Sequence, residues 1–221
     1  MEYRSFFYTI SIILIICIAD VSYAQDPHRL QSEVNHLDSI VFDFDKSEDV
    51  IVFTGSSSIR KWDSLLVRFP KKQIINTGFG GSQMSDLLYY KNEIIIKYSP
   101  NKVFIYEGDN DIAYGKNVNQ ILSDTRLLIE NLNNELNTIE VYFISAKPSL
   151  ARWELEDNYI VFNKALEDYC SREQNLFFID VWSIMLNEDG EPIDDLFIED
   201  GLHLTEEGYE IWAKEIKQYL E

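Results

Sequence analysis

Val50-Ile51-Val52-Phe53-Thr54-Gly55-Ser56-Ser57-Ser58 is the stretch whose reading decides the fold class. Five apolar or β-branched residues run without a polar break and stop at a glycine. A strand with no polar alternation is a strand covered on both faces. The serines that follow suit the first turn of a helix, where hydroxyls accept from unpaired backbone N–H groups. Strand, glycine turn and helix start, in that order, make one unit of an α/β layered fold. Outward from it the unit recurs. Short strands are expected at 73–76, 102–107, 139–145 and 176–181. Helical spacing of apolar residues predicts helices over about 57–66, 84–98, 118–136 and 157–172, with a last one over 206–220 capped by Thr205. Such alternation implies a central parallel sheet joined by right-handed crossovers, within one domain.

Upstream, 27–45 reads as one amphipathic helix or a helix plus turn, with Leu30, Val34, Leu37 and Val41 at helical spacing. Residues 25–49 are therefore expected as a helical segment packed on a domain spanning 50–221. Residues 1–24 stand apart. Arg4 gives a small positive start, Phe6 to Ile18 is apolar, and Ser22-Tyr23-Ala24 resembles a small-x-small cleavage site before Gln25. The apolar run falls short of the about 20 residues a bilayer span needs. A cleaved export signal is expected, with a periplasmic or extracellular location and no stable membrane insertion afterwards. A lipoprotein anchor on Cys17 is a poorer fit, because Ile16 stands where a small residue is required.

Composition narrows the partners. Asp and Glu number 38 against 19 Lys and Arg, for a net charge of −19, a field that repels nucleic acid and anionic membrane surfaces. With Cys17 in the leader, Cys170 is left alone at the end of an apolar-periodic segment, so it is expected as a buried small hydrophobe and no internal disulfide is available. Of three histidines, His28 and His36 lie in the N-terminal segment, which speaks against a multi-histidine metal centre. No metal or organic cofactor is expected.

In open parallel sheets ligands bind outside the carboxyl ends of the strands. Three glycine-bearing segments fall there: Gly55-Ser56-Ser57, Gly78-Phe79-Gly80-Gly81 and Gly108-Asp109-Asn110-Asp111. The turn Asp200-Gly201-Leu202-His203, just before the last helix, reaches the same rim. A buried Asp200 three residues before His203 would hold the imidazole in one tautomer, ready to take a proton from a hydroxyl. Ser57 offers that hydroxyl, although each of Ser56, Ser57 and Ser58 equally suits a helix cap. Gly81 lets the backbone approach a ligand closely, or makes a tight turn. Asn110 carries an amide able to donate to an oxyanion. A calcium loop fits badly, since Ala113 and Tyr114 occupy positions that need an oxygen ligand and a glycine.

Taken together and in order, these four segments resemble the blocks of the SGNH, or GDSL-like, hydrolase family of serine esterases and acylhydrolases. The resemblance runs from about Ile51 to the C-terminus. Gly55-Ser56-Ser57, with Trp62 at its spacing, looks like the Gly-Asp-Ser block of platelet-activating-factor-acetylhydrolase-like members. Asn76 to Gly81 looks like the glycine block, Gly108 to Asp111 the Gly-x-Asn-Asp block, and Asp200 to His203 the Asp-x-x-His block. The resemblance implies a three-layer α/β/α sandwich with a five-stranded flavodoxin-like sheet. It implies Ser57 as nucleophile, His203 as general base and then acid, Asp200 as its orienting group, and an oxyanion hole of the Ser57 and Gly81 N–H groups with the Asn110 amide. One departure stands out: Ser56 occupies the place of the family's aspartate, and Ser58 stands as the alternative nucleophile.

The expected function is an exported serine esterase acting on short acyl esters, with carbohydrate O-acetyl groups as a candidate substrate. Trp62, Tyr106, Asp109, Arg152 and Trp153 are candidates for a substrate-facing rim, though the aromatic ones equally suit the core and Arg152 could pair with an acidic neighbour instead. The competing reading is a non-catalytic glycan- or lipid-binding module on the same fold, for which Ser56 is the support. A metal-dependent hydrolase is disfavoured by the small ligand inventory.

Overall fold

A computed structural model describes residues 26–45 and 47–220; the export signal expected at 1–24 lies outside the described residues. Strands β1 (Val50–Gly55), β2 (Gln73–Asn76), β3 (Lys102–Tyr106), β4 (Glu140–Ile144) and β5 (Leu176–Ile179) form one sheet in the order β2-β1-β3-β4-β5, every pair parallel. This is the flavodoxin-like strand order. The sheet is buried on both sides, which is why its strands read as unbroken apolar runs. Val50 and Val52 of β1, Val103 and Ile105 of β3, and Val141 and Phe143 of β4 face one core. That core is covered by helices α1 (Gln31–Ser39), α4 (Met84–Ile94), α6 (Val118–Glu135) and α7 (Glu156–Cys170). Ile51, Phe53, Phe104, Tyr142 and Ile144 face the other, under α2 (Ser57–Arg60), α3 (Leu65–Arg68) and α8 (Glu206–Ile216). A short helix α5 (Asp109–Ala113) follows β3 on the rim.

On the second face the parallel register sets four rings side by side. Phe53, Phe104, Tyr142 and Phe177 are cross-strand partners, stacked with centroids 4.4, 4.6 and 4.7 Å apart. Aromatic pairs at such spacing stabilise by about 0.5–1.5 kcal/mol beyond their buried area.

Four expected elements differ, the simplest being the last helix, which ends at Ile216 and passes into a 3-10 turn, Lys217–Tyr219. The helix over 57–66 breaks into α2 and α3, and the break swings Trp62 into the core, where it stacks on Tyr209 at 5.2 Å and meets Trp212 and Phe53 edge-on. Trp62 is 1% exposed and Tyr106 fully buried, so neither lines a substrate rim. Helix 84–98 ends at Ile94 and passes into a 3-10 turn, Ile96–Tyr98. The N-terminal segment is helical only as a 3-10 turn, Pro27–Leu30, followed by α1. Leu30 and Val34 are buried, but Val41 is 92% exposed. Beyond Ser39 the chain extends, because Phe42 and Phe44 both pack on the core, stacked at 5.8 Å. Alternate residues share a face only in an extended chain.

Removing the Trp62 side chain leaves a cavity beneath α8, and large aromatic truncations of this kind cost about 3–5 kcal/mol. Trp62→Ala is therefore expected to lower the urea midpoint by a matching amount; a midpoint within error of the parent would return Trp62 to the surface.

Candidate active site

β1 delivers the first group. Its last residue, Gly55, has φ +119°, and a Cβ there would lie 2.1 Å from the Tyr106 carbonyl oxygen. Only glycine lets the chain turn this close to β3. Ser56 is extended and buried and donates its N–H to that same carbonyl at 3.0 Å. Ser57 then opens α2. Its Oγ lies 2.9 Å from His203 Nε2. Ser58 points inward, and its carbonyl accepts the Tyr209 hydroxyl at 2.8 Å. Among the described residues the hydroxyl on the imidazole is that of Ser57.

The other end of the imidazole meets Asp200, with Nδ1 2.6 Å from Oδ2. Sequence reasoning expected this carboxylate to be buried. It is 42% exposed, and local geometry orders it instead: its Oδ1 accepts the N–H groups of Leu202 and His203, each at 2.9 Å. Partial burial alone would raise its pKa. The His203 hydrogen bond and then the two N–H groups outweigh that and hold it at about 2. Asp200 is thus ionised across the neutral range, so Nδ1 carries the proton and Nε2 faces Ser57 as the acceptor. The turn is pinned from outside, where the Ala151 N–H donates to the Gly201 carbonyl at 3.0 Å and Gly201 takes φ +62°.

Two further segments close round Ser57. After β2, the Phe79 N–H donates to the Gly55 carbonyl at 2.8 Å and carries the glycine loop alongside β1. Gly81 has φ +69°, and among the described residues its N–H and that of Ser57 find no acceptor. After β3, Gly108 (φ +103°) turns the chain into α5, which carries Asn110. One Asn110 amide hydrogen goes to the Ser82 carbonyl at 2.9 Å, and its oxygen accepts from Arg152 at 3.1 Å. An amide has two N–H donors, so the second is open to a ligand.

Beneath this rim lies a charged group that sequence reasoning placed at the substrate edge. Asp109 is only 4% exposed. It accepts from the hydroxyls of Tyr106 (2.8 Å) and Tyr159 (2.6 Å) and from Arg152 at 2.5 Å, with Lys147 Nζ at 3.7 Å. Burial would raise its pKa; the charges of Lys147 and then Arg152, with the two hydroxyls, bring it down to about 2. Arg152 is therefore spent on Asp109 and Asn110, and not free at the rim. Trp153 is half-buried and stacks on Trp182 at 5.9 Å, with Tyr159 on Trp182 at 6.0 Å. Of the rim candidates, Trp153 and the already paired Arg152 remain partly exposed. The sequence signal for Lys147 was thin: it lies in the segment after β4, yet it is wholly buried and burial pushes its ammonium pKa down.

A serine hydroxyl on an imidazole on a carboxylate, beside free N–H donors, can activate an oxygen nucleophile and hold an oxyanion. The GDSL-like lipase/acylhydrolase family matches over residues 38–211, which contain all of these groups. The chain belongs to that family. It is an acylhydrolase by descent, and solved GDSL-type structures share its fold. A Streptococcus pneumonia protein related by name to platelet activating factor superposes with TM-score 0.77 at 24% identity, covering 88% of this chain and 92% of that one. A GDSL-like lipase from Bacteroides thetaiotaomicron gives 0.70 at 23% identity over 88% and 97%. An acetylxylan esterase from Geobacillus stearothermophilus gives 0.65 at 13% over 78% and 94%. No curated protein is similar enough in sequence to match. Among the described residues no helix is long and apolar enough to cross a membrane.

Asp109 supplies a pH test. Its folded pKa lies below the unfolded value of about 3.9, so its contribution to stability is complete above that pH and is lost as pH falls towards 2. Asp109→Asn leaves Lys147 and Arg152 without their counter-charge, and breaking a buried pair costs about 3–5 kcal/mol. Urea midpoints at pH 7 are expected to differ by that order, with the gap narrowing between about pH 4 and pH 2. A gap that stays constant through this range would contradict the assignment.

Proposed function

We propose that this acylhydrolase is an exported serine esterase that cleaves short acyl esters, with acetyl groups on carbohydrate as the favoured substrate class. The observation that carries the reading is the hydrogen-bonded chain Ser57–His203–Asp200, with contacts of 2.9 and 2.6 Å. As Ser57 Oγ attacks the ester carbonyl, its proton passes to His203 Nε2. The imidazolium so formed is stabilised by ionised Asp200. Negative charge on the former carbonyl oxygen falls to the N–H groups of Ser57 and Gly81 and the open Asn110 amide hydrogen. Donors of this kind are each worth about 10²–10³ in rate. His203 then gives its proton to the leaving alcohol, and the acyl group remains on Ser57. Water, deprotonated by His203, attacks the acyl-enzyme; the bond from the acyl carbon to Ser57 Oγ then breaks, His203 returns the proton to Oγ, and the acid is released. The steps need no group beyond those named.

The preference for short acyl groups is supported by the openness of the site. Ser57 is partly exposed and the His203 side chain 16% exposed, and the half-buried Trp153 and Trp182 rings beside Arg152 offer flat apolar faces of the kind a sugar ring packs against. An acetylxylan esterase on the same fold fits this reading. Export is supported by the Arg4, Phe6 to Ile18 and Ser22-Tyr23-Ala24 pattern. Recovery from cells of protein that still carries residues 1–24 would speak against it.

Ser57→Ala is expected to abolish p-nitrophenyl acetate hydrolysis, a loss of at least about 10³, with the fold intact by circular dichroism. The parent should release acetate from acetylated xylo-oligosaccharides faster than it cleaves long-chain esters. Parental activity in Ser57→Ala would overturn the nucleophile; a preference for long chains would overturn the substrate class.

A further inference from the structure

Helix α1 lies almost wholly before residue 38, where the match to the family begins. Nothing in the proposed mechanism calls on it. Yet one of its side chains touches both elements that carry the backbone oxyanion donors. Both carboxylate oxygens of Glu33 lie 3.1 Å from the Gly80 N–H, and Oε1 also accepts from Arg60 at 3.1 Å. Gly80 is the residue before Gly81. Arg60 is the last residue of α2, whose first residue is Ser57. The contact is close-fitted as well as charged: a Cβ on Gly80 would lie 2.5–2.9 Å from atoms of the Arg60 guanidinium. One turn earlier, Arg29 pairs with the buried Asp86 and reaches the Gly81 carbonyl at 3.4 Å. Asp86 in turn accepts the Gln83 N–H at 2.9 Å and caps α4, where the glycine loop ends.

We infer that the N-terminal segment is a brace for the oxyanion hole, and that Glu33 is its positioning residue. The inference rests on the proposed reading of the Ser57 and Gly81 N–H groups. Those donors sit on two separate loops, after β1 and after β2. An oxyanion hole works only when its donors are fixed before charge develops. Gly81 has nothing within 4 Å of where a Cβ would stand, and among the described residues its carbonyl meets only the long 3.4 Å contact from Arg29. Glu33 supplies the constraint one peptide earlier. It takes the Gly80 N–H, ties the loop to the foot of α2, and thereby fixes the Gly81 N–H relative to that of Ser57. A charged acceptor makes these bonds roughly twice as strong as neutral ones.

The test uses the whole protein with Glu33→Ala, Glu33→Gln and Asp38→Ala, each checked for folding by its urea midpoint. Asp38 is on the same helix and pairs with Lys97, away from the glycine loop. Removing a donor outright costs about 10²–10³, and letting one wander costs less. Glu33→Ala should thus lower kcat for p-nitrophenyl acetate about tenfold or more while KM stays within about twofold. Amide exchange over 78–83 should speed up. Glu33→Gln, whose amide oxygen still accepts from Gly80, should recover most of kcat, and Asp38→Ala should match the parent. Parental kcat in Glu33→Ala, unchanged exchange over the loop, or equal losses in Glu33→Ala and Asp38→Ala would each overturn the brace while leaving the esterase reading intact. Absence of Ser57-dependent turnover in the parent would remove that reading, and the brace with it.

Discussion

Asp109 has almost no contact with water, and a carboxylate in that position must either lose its charge or be surrounded by partners. Here it is surrounded, and the partners come from β3, from α7 and from the segment after β4. Tyr106 ends β3, Tyr159 belongs to α7, and Arg152 and Lys147 stand in the segment after β4. Satisfying one buried charge therefore ties the turn after β3 to the segment after β4 and to α7 at the carboxyl edge of the sheet. The consequence reaches the chemistry through Arg152. Its second nitrogen holds the Asn110 oxygen, which settles which end of that amide faces away and leaves an N–H for the substrate side.

The reactive chain itself is assembled differently. Ser57 and His203 are 146 positions apart and meet because a parallel sheet collects the ends of its strands on one edge. Asp200 needs no burial to orient His203. Two N–H groups of its own turn take the role that a dry pocket plays elsewhere, and the His203 hydrogen bond, then those N–H groups, keep the carboxylate ionised. The Ala151–Gly201 bond then links this turn to the Arg152 segment, so that the buried and exposed acids are parts of one scaffold.

Much of this was legible in the chain. β1 announces itself because both its faces are covered, and the order of glycine, serine, asparagine and histidine segments along a sheet edge is a one-dimensional record of the site. What was not legible depends on where a helix breaks or which distant groups meet. Trp62 reads equally as a rim or a core residue, and the break after Arg60 at the end of α2 decides for the core. Val41 matches a helical period that Phe42 and Phe44 override by packing on alternate positions. Asp109 and Arg152 read as separate polar residues 43 positions apart, and only the fold pairs them. Glu33 carries no local signal at all, since its partners, Gly80 and Arg60, are 47 and 27 positions away.

The central claim is that one hydroxyl, that of Ser57, is made nucleophilic by His203. The most direct test is to treat the protein with a fluorophosphonate and locate the adduct by mass spectrometry, in the parent and in His203→Ala. The account predicts a single phosphonylated residue, Ser57, and labelling slowed by orders of magnitude without the imidazole. An adduct on Ser56 or Ser58, or labelling of Ser57 that is indifferent to His203, would contradict it.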